Sequence, residues 1–228
     1  MQRIAYLLLP PDNRLRELFG LAKRCGTDPA GVQCTWRAER LEAAKHHLSE
    51  YRKDPGILNR IVVIDELTII NGKLELIAAC MKFRFIHYQF VTEGKATKEN
   101  IKMFVSDLMD KETAGLFSKP ILLWDNINVH SDPELIKTMG ERGWEMWKQP
   151  RKSSDMNPLD YSDFKELKKL YKNNMPKDDN VEIVKQVVVT ALAKISDKGD
   201  LQGIVKLPDV WEAVVKSEGL SAVPFSRD

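Results

Sequence analysis

Little in this sequence points to thiolate chemistry or to a disulfide scaffold. Only three of its 228 residues are cysteines, Cys25, Cys34 and Cys80. The number is odd and no CxxC pair occurs, so neither a disulfide framework nor a zinc ribbon is expected, and the three read as small apolar core residues. The four histidines, His46, His47, His87 and His130, form no HExxH pattern. Charge of one sign is missing as well. Lys and Arg total 35 and Asp and Glu 33, a net charge of +2, which excludes a histone-like polycation and requires any nucleic-acid contact to use a local basic surface. No apolar run approaches the roughly 20 residues of a membrane span. The opening stretch Ile4–Leu9 stops at Pro10-Pro11, too short for a secretory core and without a small-residue cleavage site. No internal repeat or low-complexity tract occurs. These absences lead to the expectation of a soluble intracellular protein.

What is present is enough apolar material for a core, 43% of the chain. Leu15, Leu18, Phe19 and Ala22 share one helical face and predict a helix over 12–24. A break follows at Gly26–Gly31, with Pro29 inside it. A second helix over 35–51 carries Leu41, Ala44, Leu48 and Tyr51 on one side. Asp54-Pro55-Gly56 is turn chemistry and predicts a boundary between a helical lead-in, 1–56, and a main domain, 57–228. Ile61–Ile64 is β-branched throughout, the mark of a strand buried on both faces. Strand-like segments follow at 67–80, turning at Asn71-Gly72, and at 82–91. A helix over 97–110, a buried strand over 120–124, a helix over 132–141 ended by Gly143, and a short strand over 144–148 come next. Helices are predicted from Pro158 to about Lys172, near 180–195, and over 207–217. Antiparallel strands first, then alternating helices and strands, give an α/β fold: a mixed five-stranded sheet flanked by helices, with a helical tail.

Acids punctuate the buried strands. Asp65 closes the run Ile61–Ile64 and Asp125 closes Ile121–Trp124, both where open α/β sheets place their sites. Asp160 lies in the first turn of the helix that opens at Pro158. Three converging carboxylates repel each other unless cations intervene. Mg²⁺ favours such hard oxygen ligands, and two ions roughly 4 Å apart serve phosphodiester chemistry. Each acid also has a structural reading. An Asp after a strand is commonly a turn former, and Asn157-Pro158-Leu159-Asp160 is an N-cap, a Pro at N1 and an acid at N3. Asp155 and Asp163 are rival acids beside Asp160.

The blocks Ile61-Val62-Val63-Ile64-Asp65-Glu66, Leu122-Leu123-Trp124-Asp125-Asn126 with His130, and Asp155-Met156-Asn157-Pro158-Leu159-Asp160-Tyr161 together resemble the catalytic blocks of mariner/Tc1-type transposases. Thirty-four residues separate Asp125 from Asp160, the interval of the DD34D signature with Asp as the third acid. The approach Tyr51-Arg52-Lys53 to Leu58–Val62 and the segment Gly203–Glu212, containing Lys206-Leu207-Pro208 and Trp211, resemble stretches flanking that domain. The resemblance spans roughly residues 36–219. It implies an RNase H-like fold, Mg²⁺ or Mn²⁺ as cofactor with two ions expected, and no organic cofactor. Asp65, Asp125 and Asp160 would be the catalytic metal ligands, and a water or a DNA 3′-hydroxyl would attack the phosphodiester in line. Glu66, Asn126 and His130 would support the site or touch DNA. DNA is the implied partner, with a homodimer or a nuclear protein beside it, and the nucleus the implied location.

The sequence departs from the family pattern in informative places. The first 60 residues lack a convincing pair of helix-turn-helix units. Fifty-nine residues separate Asp65 from Asp125, fewer than in mariners, where a clamp-like loop that helps pair subunits is found. The Lys and Trp expected after Asp-Glu are Leu67 and Thr68. The block after the second acid reads Asn126-Ile127-Asn128-Val129-His130 and lacks its Arg, and Lys152-Ser153-Ser154-Asp155 replaces Tyr-Ser-Pro-Asp. The reading is therefore a transposase-derived domain that cleaves or joins DNA, with a domesticated DNA-binding or protein-interaction module as the alternative. A basic strip from Arg142 through Lys148, Arg151, Lys152, Lys165, Lys168, Lys169 and Lys172 suits a DNA backbone near the acids or, equally, a solvated helix face. Trp144, Trp147 and Trp211 read as packing residues, and His46-His47 lack partners for a metal.

Overall fold

The computed structural model describes residues 32–70, 72–92, 94–113, 119–124, 132–150, 153–174 and 180–220. The predicted helix over 12–24 and the break at 26–31 lie outside them. So do the side chains of Cys25 and Cys34, while Cys80 is fully buried.

Helix α1 (Val32–Lys53) is the expected second helix, with Ala44 and Leu48 buried and the basic Arg52 and Lys53 in its last turn, where the dipole favours them. Asp54 caps a 3-10 turn over Pro55–Asn59 by accepting from the Gly56 amide at 2.9 Å. Strand β1 (Ile61–Ile70) then runs through the centre of the sheet. It pairs antiparallel with β2 (Leu74–Met81), through a reversal where Gly72 takes φ +70°, and parallel with β4 (Ile121–Trp124). β3 (Arg84–Thr92) and β5 (Glu145–Lys148) are the edges, giving the order β3-β2-β1-β4-β5. Helix α2 (Lys98–Thr113) leads into β4, and α3 (Pro133–Glu141) joins the parallel pair β4 and β5. The carboxyl of Asp132 caps α3 through the Glu134 and Leu135 amides. The Lys98 and Lys102 ammonium groups of α2, at 2.7 and 3.0 Å, hold that carboxyl well below the usual carboxylate range.

Strand alternation divides the core. Val62, Ile64, Leu122 and Trp124 face α2 and α3, where Phe104, Leu108 and Met139 meet them. Ile61, Val63, Leu67 and Leu123 face the other way. That side is covered by α1 and four later helices: α4 (Phe164–Lys172), α5 (Val181–Ser196), α6 (Gln202–Val205) and α7 (Leu207–Lys216). The three tryptophans expected to pack do so. Trp147 stacks on His47 with centroids 4.5 Å apart and planes 6° from parallel, Trp211 meets His47 edge-on, and Trp144 is buried against the opposite face. His47 is thus an aromatic core residue, and burial pushes its imidazole down to about 3.

Three expectations change. Asp65 does not end its strand; β1 continues to Ile70 because its second half is held by β2, with Asp65 opposite Ala78. The chain from Pro158 does not enter a regular α-helix. It makes a π turn over Leu159–Asp163 before α4 begins. Arg142 does not join the basic strip: it precedes β5 at the amino ends of the parallel strands, with its guanidinium 4.0 Å from Asp110 of α2.

Candidate functional site

The site grows from one departure in the core pattern. On the face of β1 that presents Ile61, Val63 and Leu67 to the helices, the intervening position is Asp65, only 8% exposed. A buried carboxylate needs donors. The Glu66 backbone N–H donates to Oδ1 at 2.8 Å, and the Asn157 side-chain amide donates to Oδ2 at 2.8 Å. β4 ends beside this position: Val63 pairs with Leu123, so Trp124, the residue before Asp125, stands at the end of the described strand one step from the level of Asp65. The Gln149 N–H donates to the Trp124 carbonyl at 2.8 Å, and its side-chain amide donates to Met156 O. The loop toward the third acid is thereby tied to the end of β4.

Asn157 does two things at once. Its Oδ1 accepts from the Leu159 N–H at 3.1 Å, capping the π turn, while its amide holds Asp65. The capping expected from Asn157-Pro158 is present, and the turn it opens packs against β1 and carries Asp160 with its side chain exposed. The rival acids are engaged elsewhere. Asp155 makes a bidentate pair with Arg40 of α1, at 2.8 and 2.7 Å. Arg40 is itself buried and also donates to Ser153 Oγ and Gly219 O. Asp163 is turned inward, 1% exposed, and burial raises its carboxyl to about 7 against the opposing pull of the Gly203 backbone amide. Burial also pushes the Cys80 thiol up, with the negative charges of Asp163 and Asp65 adding to it. Two acids therefore act on one buried region.

The remaining sequence-predicted residues divide cleanly. Asp125, Asn126, His130, Arg151 and Lys152 lie outside the described residues. Glu66 is half-buried, and what it gives Asp65 is its backbone N–H; alternation puts its side chain on the opposite face of β1. Lys165 is exposed on α4, as are Lys168, Lys169 and Lys172, and Lys148 is exposed at the carboxyl end of β5. Among the described residues no group of three His, Cys, Asp or Glu side chains forms a metal cluster, and no helix is long and apolar enough to cross a membrane. Sequence reasoning missed the Asn157–Asp65 bond and the Arg40 dock. Only Arg40 carried a signal: it lies one turn before Ala44 on the apolar stripe of α1, where a charge demands a partner.

Comparison with known proteins places this architecture. The family profile described as "DDE superfamily endonuclease" matches residues 60–183. The solved catalytic domain of Mos1 transposase with raltegravir and Mn is 24% identical, with a TM-score of 0.73 over 84% of this chain and 98% of that one. The catalytic domain of Mos1 mariner transposase gives 23% and 0.70 over 85% and 98%. The Mos1 transposase paired-end complex with left transposon end gives 21% and 0.70 over 92% and 70%. No curated protein sequence matches significantly. The structural likenesses show a mixed five-stranded, RNase H-like sheet, and with the family profile matched over more than half its length, the chain belongs to the DDE superfamily endonucleases and has the fold of a mariner transposase catalytic domain.

Proposed function

We propose that the chain is a divalent-metal-dependent, DNA-cleaving domain that uses Asp65, Asp125 and Asp160. The observation that carries this reading is the placement of Asp65. A carboxylate occupies a core-facing position of the central strand, held by two donors. One donor, Asn157, opens the turn that bears Asp160, and β4 ends its described residues at Trp124, one step from Asp65's level and next in sequence to Asp125. A buried carboxylate costs stability unless donors or a cation compensate it, and a cation would add to what the two donors supply.

The donor set fits hard cations. Asp65 and Asp160 offer carboxylate oxygens, and Asp125 would add a third carboxylate; no thiol or imidazole from the described residues joins them, which suits Mg²⁺ or Mn²⁺. Mos1 catalytic-domain structures were solved with Mn and with Mg. When bound, a pair of such ions supplies activation of the attacking oxygen and charge stabilisation at the leaving oxygen. The protein's own share is orientation. Glu66 N–H and Asn157 fix one carboxylate, the π turn presents another, and the exposed lysines of α4 with Lys148 offer charge for a phosphate backbone approaching from that side. DNA is the substrate in this reading and the nucleus its location, with a second copy of the chain as partner. Residues 57–228 form the catalytic unit and residues 1–56 its lead-in.

A second reading, a domesticated module that binds DNA without cutting it, is favoured by the β1–β2 hairpin, which closes within a few residues, Ile70 pairing with Leu74. No insertion stands there to clamp a second subunit. Incubation of the purified chain with supercoiled plasmid in Mg²⁺ or Mn²⁺, beside Asp65→Asn and Asp125→Asn, separates the two. Nicking that disappears in both variants and in EDTA supports the nuclease. DNA retention without nicking, unaffected by either substitution, supports the module.

A further inference from the structure

The stretch Gly203–Glu212 contributed to the family resemblance, yet nothing in the proposed chemistry uses it. Its first residue lies against the π turn that carries Asp160. The Tyr161 hydroxyl donates to Gly203 O. The Gly203 backbone amide lies beside the Asp163 carboxyl. The space a Cβ would occupy at Gly203 is filled by Asp163 Oδ2 and by the Pro158 carbonyl oxygen, 2.7 Å from where that carbon would stand. Positions 158, 161 and 163 bracket residue 160 on both sides, so one tail residue contacts the turn before and after the acid. A π turn is a rare, locally widened form of helix that persists only where its surroundings select it.

We propose that Gly203 is a positioning residue for Asp160: by admitting Pro158 and Asp163 against its bare Cα and accepting the Tyr161 hydroxyl, it fixes the π turn and the direction in which the Asp160 carboxylate leaves it. The inference rests on the reading of Asp160 as a metal ligand and assigns the tail a role in metal binding. A methyl group at position 203 cannot be housed without moving the Pro158 carbonyl and the Asp163 carboxyl, and both movements carry the turn. Mg²⁺ sites are geometrically strict, with ligand distances near 2.0–2.1 Å, and a displacement of about 1 Å takes a carboxylate oxygen out of coordinating distance, which weakens binding of Mn²⁺ as well.

The test is Mn²⁺ titration of the full chain by calorimetry, with no DNA present, alongside circular dichroism. Gly203→Ala is expected to weaken Mn²⁺ binding by roughly tenfold or more while keeping the wild-type spectrum, and Tyr161→Phe, which removes the hydroxyl without changing volume, by a smaller factor of about three. Leu192→Ala, a core truncation in α5 on another part of the same face, is expected to lower the melting temperature and leave Mn²⁺ affinity unchanged. If folded Gly203→Ala binds Mn²⁺ as wild type does, or if Leu192→Ala weakens binding as much, the proposal is overturned. Should Gly203→Ala fail to fold, an unchanged affinity in Tyr161→Phe overturns it and a weakened one sustains it. Asp160→Asn separates the two levels. If it binds Mn²⁺ normally, the site reading fails and the positioning role with it; if it is weakened while Gly203→Ala and Tyr161→Phe are not, the positioning role alone fails.

Discussion

Replacing Asp163 by Asn is expected to stabilise the protein, and to do so increasingly as pH rises. Asp163 is 1% exposed, its Oδ2 has no hydrogen-bond partner, and burial raises its carboxyl from 3.8 to about 7. The folded state therefore holds a proton that the unfolded chain releases near pH 4. Below that pH the acid is neutral in both states and costs nothing. Between about pH 4 and pH 7 stability falls by about 1.4 kcal/mol per pH unit, and above pH 7, where both states are ionised, the accumulated cost levels off at roughly 4 kcal/mol. An Asn amide keeps the shape, removes the ionisation and brings a donor to the place where Oδ2 has no partner. Urea unfolding of wild type and Asp163→Asn at pH 5, 6, 7 and 8 measures the effect as a difference, which cancels every other titrating group. The stability gap is expected to widen by about 3 kcal/mol from pH 5 to pH 8. A gap that stays constant across that range refutes the reasoning, because it would mean that Asp163 ionises alike in both states.

Asn157→Ala removes both a cap and a donor to a buried carboxylate, an expected loss of about 2–4 kcal/mol in metal-free urea unfolding. Arg40→Met leaves Asp155 without its bidentate partner and frees α1 from the loop at Ser153 and from Gly219; about 3 kcal/mol is expected to be lost, and adding Asp155→Leu recovers part of it, read from denaturant midpoints. His47 is held near 3 against 6.5 for a free imidazole, so stability is intact above pH 6.5 and is lost as pH falls from there toward 3, when the unfolded chain takes up the proton first. His47→Phe keeps the stack on Trp147 and is expected to flatten the acid limb of melting temperature against pH between 4 and 6.5.

The fold was legible because its signals are local or periodic. Ile61–Ile64 and Ile121–Trp124 are apolar on both faces because helices cover both faces of the sheet there, and no surface strand needs that composition. Gly72, Gly143, Asp132 and Pro133 mark their turns and helix starts by backbone requirements that few other residues meet. The strand whose full length the composition does not show is β1, because an acid at position 65 breaks the apolar pattern. What carries the strand past it is hydrogen bonding to β2 and donors from Glu66 and Asn157, none of which alters the composition of β1 itself.

The same reasoning explains what the sequence left unread around the site. Composition marks three neighbouring acids, Asp155, Asp160 and Asp163, and the family resemblance points to Asp160 by its spacing from Asp125, yet neither says how each side chain is held in the fold. Residues remote in the chain decide that. Arg40 claims Asp155 from 115 residues away, and Gly203 claims the turn through Tyr161 from 42 residues away. Asp155 is ion-paired, Asp163 is enclosed and Asp160 is exposed. In the proposed reading Asp160 is the third acid, and a glycine, the residue with the least chemistry, helps to set its direction. A position whose function is to have no side chain leaves no trace in hydropathy or charge, so only the packing of the tail against the π turn reveals it.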